Sequence, residues 1–127
     1  MAILNLASTS NLLGKTTAVN LSTTAATAVL SNAASSGFIL KVNSVVVTNT
    51  TNAAANITLT YYTGAALGGT GYPIVSTVSI PAYTSMPVVD SLRFMYLPDG
   101  TSIGATAGTA NALTLTCAYE QITASAL

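Results

Sequence analysis

The alternation of apolar and polar positions is clearest between Phe38 and Tyr62. Phe38, Leu40 and Val42 share one parity, Lys41 and Asn43 take the other, and the β-branched run Val45, Val46, Val47 follows. A period of two buries one face of a pleated strand, whereas a helix would scatter the same residues around its axis. The pattern predicts a half-buried strand that becomes fully buried at the valines. Ile57, Leu59 and Tyr61 alternate with Thr58, Thr60 and Tyr62, which predicts a second strand. Residues 48–56, rich in Thr, Asn and Ala, read as the turn or short loop between them.

Upstream, Ile3, Leu4, Leu6, Leu12 and Leu13 surround the polar stretch Ser8 to Asn11. The run is too short and interrupted for a helix, and its apolar side chains need cover. It reads as an arm that packs on the domain or reaches a neighbouring subunit. Thr16 to Leu21 and Thr27 to Leu30 read as two short strands. An Ala-rich helix over residues 23–34 is the competing reading, because Ala is the best helix former although Thr is a poor one.

Downstream, Gly64, Gly68, Gly69 and Gly71 mark a long flexible connection. Tyr72 to Ile80 reads as a strand with Ile74, Val78 and Ile80 on one face and Val75 with Thr77 on the other. Pro73 cannot donate to a ladder and places the start of that strand at a sheet edge. Ser85 to Asp90, with Pro87, reads as another edge strand. Arg93 to Leu97 leads into a turn at Pro98-Asp99-Gly100, Ile103 to Ala107 leaves it, and Gly108 to Asn111 forms the next turn. The closing strand carries Leu113, Leu115, Cys117 and Tyr119 on one face. About seven or eight strands at a spacing of about ten residues predict an all-β fold. The expected form is a single antiparallel β-sandwich, jelly-roll-like or Ig-like, with an N-terminal arm. Residues 1–36 are assigned to the arm and short strands, packed on the domain or a neighbour, and residues 37–127 to the sandwich domain.

Composition changes this picture in one respect. Only 5% of the 127 residues are charged, three cations and three carboxylates, against about 25% in an ordinary soluble domain. Charge normally keeps strand edges apart and surfaces soluble. A chain this poor in charge is expected to cover much of its surface with copies of itself or with another protein. Zero net charge and three scattered cations disfavour nucleic acid and an anionic membrane surface as partners. No apolar window is long enough for a membrane span, and the opening residues lack the basic flank and apolar core of a secretion signal. The protein as written is expected to stay where it is made until something else exports it. Cys117 is the lone cysteine and reads as a small buried hydrophobe.

Candidate chemistry is sparse. Histidine is absent, which removes the commonest general base and metal ligand. Lys41 faces away from the apolar side of its strand and reads as a solvated or interface cation rather than a perturbed base. Asp90 and Asp99 would need to pair across a cleft for acid-base work, and the turn already accounts for Asp99. Gly64 to Thr70 imitates a phosphate loop on glycine spacing alone, but Thr70 stands where that motif requires lysine. The reading is a protein with no catalytic, cofactor-binding or metal-ligating residues. Tyr61 and Tyr119 read as core by parity. Tyr62, Tyr72 and Tyr83, beside loops, are the candidate partner-binding tyrosines, together with Ile3, Leu4, Leu6, Leu12 and Leu13 of the arm.

The succession FILKVNSVVVTN, ANITLTYY, a Gly-rich loop, YPIVSTVSIPAYTSMPVVD, YLPDGTSIGATAG and LTLTCAYEQI resembles small structural proteins of tailed bacteriophages, particularly marine and cyanobacterial phages. The resemblance spans roughly residues 37–123. It departs from the usual pattern after the Leu-Pro position, where Asp99-Gly100 stands in place of Gly-Asp. It implies a virion component without enzymatic activity. The expected function is a capsid decoration (cement) protein on the outside of the phage head, bound to the major capsid protein or other virion proteins and assembled as a homo-oligomer, with a trimer suited to capsid three-folds. The alternatives are a neck, tail or fibre-attachment protein of the virion and a surface adhesin or fibre-forming subunit.

Overall fold

The computed structural model describes residues 12–90 and 94–123. Nine strands follow one another in the order β1 (Leu12–Asn20), β2 (Thr27–Asn32), β3 (Phe38–Asn49), β4 (Ala55–Tyr62), β5 (Gly71–Ile80), β6 (Ser85–Val89), β7 (Met95–Leu97), β8 (Thr101–Ala107) and β9 (Leu113–Thr123). The alternative helix over residues 23–34 does not form. Thr27 to Asn32 is strand, where the β-branched Val29, together with Leu30, is buried in the core.

Two antiparallel sheets result. One runs β1-β9-β3, with β6 and β7 sharing the far side of β3, and the other runs β2-β8-β4-β5. The pairings are nested: β4 with β5, β3 with β6 and β7, β2 with β8, β1 with β9. A single long antiparallel ribbon folded across itself produces this order, with successive pairs falling alternately in the two sheets. That is the jelly roll, which decides between the two sandwich forms the sequence allows. β1 and β2 are integral sheet strands of this sandwich.

The core lies between the sheets. Val42, Val45, Val47, Leu113, Leu115 and Cys117 from one sheet meet Ile57, Leu59, Ile80, Ile103 and Ala105 from the other. Full burial of each large aliphatic side chain favours the fold by about 1.5–3 kcal/mol. Two departures from simple alternation follow from bulges. A register shift between Val42 and Ser44 restarts the parity of β3, so Val45 and Val47 point inward while Val46 turns outward opposite Pro87. The triple valine is therefore not buried throughout. In β5, two shifts opposite Ile57 to Thr60 bring Val75 onto the same side as Val78 and Ile80, and Ile74 is left exposed. The connection between β3 and β4 is also shorter than the sequence suggests, because Thr48, Asn49, Ala55 and Asn56 all belong to strands.

Two buried asparagines tie the sheets together at opposite ends. Asn32, on β2, donates from Nδ2 to the carbonyls of Phe38 and Leu97 in the other sheet, each at 2.9 Å, and its Oδ1 accepts from Ser36 Oγ. Asn49, on β3, donates to the carbonyls of Ile80 in the other sheet and of Ala53, at 3.0 and 2.8 Å. Its Oδ1 accepts from the backbone N–H and hydroxyl of Thr51. Both side chains are almost fully buried, and every polar atom of each has a partner.

The glycine-rich connection is a folded lid rather than a flexible loop. A short 3-10 turn at Ala65–Leu67 lies over the outer face of β8. The Leu67 and Ala66 N–H groups donate to the hydroxyls of Ser102 and Ser31, and Ser102 donates on to the Gly64 carbonyl. Leu67 and the Tyr62 ring sit directly over Gly104, where a Cβ would come within 2.7 Å of Leu67 Cδ2. This cover explains why β8 is buried on both faces.

Two outcomes are expected. Asn32→Ala strands two buried carbonyls and lowers stability by about 2–4 kcal/mol with an unchanged denaturant slope, measured by urea titration. Cys117 is fully buried, and burial pushes its thiol up to about 11 from 9.0. The neutral thiol therefore contributes stability that is complete below pH about 9 and is lost as pH rises toward about 11, because the unfolded chain ionises first. Urea midpoints at these two pH values should fall less in Cys117→Ala than in the parent chain. Equal falls would contradict this assignment.

Candidate assembly surface

The connections between strands gather at the two ends of the sandwich. Loops 21–26, 50–54, 81–84 and 108–112 crowd one end, and loops 33–37, 63–70 and 98–100 crowd the opposite end. The candidate partner-binding residues divide between these ends. Tyr83 projects from the first, 73% exposed at a turn with φ of 54°. Its N–H donates to the Thr51 carbonyl at 3.1 Å, which fixes the backbone and leaves the ring in solvent.

Tyr62 and Tyr72 lie toward the opposite end, where β4 passes into β5. Tyr72 is 57% exposed. Tyr62 is half-buried because its ring packs over Gly71 and Gly104, so its role is chiefly structural. Leu12 and Leu13 open β1 at that same end but in the other sheet and along the far edge. Leu12 is half-buried and Leu13 is exposed. Ile3, Leu4 and Leu6 lie outside the described residues. Among the described residues, therefore, the candidates do not share one surface. Tyr61 and Tyr119 pack against the core as their parity implies.

A more coherent patch occupies the outer face of the β1-β9-β3 sheet. Register places Leu12, Ile122 and Ile39 side by side across three strands. Beside them Lys41 stands opposite Glu120 on one side and Tyr96 on the other. The Phe94 and Tyr96 rings meet edge to face at 5.8 Å, and Lys41 Nζ lies 4.9 Å from the Phe94 ring centre. Such a cation–π contact contributes about 0.5–1 kcal/mol at an exposed site. Asn43 donates to Glu120 Oε1 at 3.1 Å. Ile39, Phe94 and Tyr96 are all exposed. Loop proximity favours other tyrosines over Tyr96 and does not point to Ile39 or Phe94, though a signal exists: Ile39 and Tyr96 are large, largely apolar residues on the parity opposite to Leu40 and Leu97.

Among the described residues no group of three His, Cys, Asp or Glu side chains converges on a metal site. No described helix is long and apolar enough to cross a membrane.

No family model matches this chain, and no curated protein matches it. Among solved structures, a chain from work on Bacillus endospore appendages, described as a novel family of disulfide-linked pili, superposes with a TM-score of 0.52. It is 17% identical, and the alignment covers 96% of this chain and 100% of that one. Likeness at this level concerns the fold, and it agrees with the two-sheet sandwich described above.

The two tyrosines should separate on substitution. Tyr62→Ala uncovers the glycine seat and is expected to lower stability by about 1–2 kcal/mol. Tyr83→Ser changes stability by no more than about 0.5 kcal/mol. Thermal melts of both variants test the contrast, and equal losses would refute the structural role given to Tyr62.

Proposed function

We propose that this chain is a non-enzymatic structural protein of a tailed-phage virion, a decoration protein that binds the outside of the head and reinforces it. The observation that carries the proposal is a jelly roll whose surface is wetted by Thr, Ser and Asn rather than by charge, and which presents Ile39, Phe94 and Tyr96 to a partner. Large exposed apolar side chains in a charge-poor surface mark a protein meant to be covered. The sequence resemblance to phage structural proteins supplies the particle. The jelly roll is used by many capsid proteins, which supports the reading by analogy only. The major capsid protein is the partner, and the surface of the assembled virion is the location.

A second reading, a subunit of an extracellular fibre, is favoured by the likeness to the endospore appendage chain. The two readings differ in what the isolated protein does. A decoration protein stays a small closed species until a shell is offered, whereas a fibre subunit polymerises alone.

Purified protein mixed with heads lacking it should bind at high copy number and raise the temperature at which the heads break open. Binding should persist at high salt, because so few charges contribute. Failure to bind at any ionic strength overturns the decoration reading, and fibres seen by electron microscopy of the protein alone would replace it with the second.

A further inference from the structure

The four sheet borders are not equivalent. β5 carries Pro73, two register shifts and Thr77 at φ 50°. β6 has five residues including Pro87, beside a shift in its partner, and β7 has three. β2 has six residues and a shift between Ala28 and Leu30. Prolines, bulges, short length and lysines are the devices that keep an edge from pairing with another chain. β1 lacks the first three: its nine residues pair with β9 in unbroken register and without proline. Its one charge, Lys15, is drawn back over the sheet, where Nζ donates to Gln121 Oε1 of β9 at 2.9 Å.

The hydrogen-bonding phase of β1 is fixed at its end. Leu21 N–H donates to the Leu113 carbonyl at 3.0 Å, directly opposite in the continuing register. In an antiparallel ladder such pairs alternate with pairs whose backbone groups point away. Thr17 and Val19 therefore bond to β9, while Gly14, Thr16 and Ala18 turn both N–H and C=O outward along the exposed edge. A Cβ built on Gly14 meets nothing within 4 Å, so no described residue covers the outer face of β1 at this point.

We infer that β1 is a strand-addition edge that pairs antiparallel with β1 of a second copy of this chain about a two-fold axis through Thr16. The self-pairing follows because strand addition needs two unprotected edges and each described copy offers one. With Thr16 opposite Thr16, the outward-turned backbone groups of Gly14 and Ala18 meet each other. On one face Gly14 and Ala18 face each other as small residues and the threonines pair, and on the other exposed Leu13 lies against Val19 and Lys15 against Thr17. Cross-strand Thr–Thr and aliphatic pairs are favourable ones. The two sheets become one continuous sheet across the pair. The inference deepens the structural reading above by naming the partner and the contact, and it replaces the expected three-fold association with a two-fold.

The test uses the full chain in sedimentation and cross-linking. The parent protein should sediment as a dimer. Thr16→Pro removes only an outward N–H and should give a folded monomer by circular dichroism. Thr16→Cys should oxidise to a disulfide-linked dimer, because its own copy lies opposite. Asn20→Cys should not, because its copy lies about 27 Å along the strand at 3.4 Å per residue. A dimer that survives Thr16→Pro, or Asn20→Cys cross-linking as readily as Thr16→Cys, overturns the pairing. A parent chain that is monomeric, with residues 1–11 or solvent on the edge, also overturns it. Because head binding is measured separately, a monomer that still decorates heads would sink this pairing and leave the proposed function standing.

Discussion

Two amide side chains hold the architecture in register. Among the described residues, Asn32 and Asn49 hydrogen-bond one sheet to the other at opposite ends of a sandwich whose middle is apolar contact. Aliphatic packing is strong but non-directional, and two smooth sheets could slide at little cost. A buried amide with every partner satisfied has one low-energy arrangement, and leaving any of its partners unpaired is expensive. The amides therefore define which end of β2 meets β3 and β7, and which end of β3 meets β5. The lid over β8 depends on register within one sheet, since the β2-β8 pairing sets Ser31 beside Ser102 to hold Ala66 and Leu67.

The same economy governs the outside. With one cysteine and no histidine, the chain has no intramolecular disulfide and no imidazole to ligate metal, and it places few charges on its surface. Hydroxyls and amides satisfy water, and proline and bulges protect most borders. What is left unprotected is informative: one regular edge along β1 and one aromatic patch on the adjoining face. The proposed assembly role rests on these two features more directly than on the fold.

Much of this was legible in the sequence because the strands alternate cleanly. Leu113 to Tyr119 and Ile57 to Tyr61 needed only parity, and Pro73 and Pro87 marked edge strands correctly. Parity failed where a bulge reset it, at Val46 and Val75, since an extra residue leaves no local signature in composition. The glycine-rich lid was misread because its order comes from Ser31 and Ser102, each 35 residues away in sequence. The candidate surface was only partly legible. Leu12 was named, but Ile39, Phe94 and Tyr96 become neighbours through β3 pairing with β7, and loop proximity pointed instead to Tyr62, whose ring is taken up by Gly71 and Gly104.

The central claim is that this jelly roll works as a repeated building block on a particle. Its most direct test is the copy number of the polypeptide in gradient-purified particles from its source, by quantitative mass spectrometry against the major shell protein. The account predicts an abundance approaching that of the shell protein. A few copies per particle would move the same fold to the neck or tail, and complete absence from particles would contradict the account.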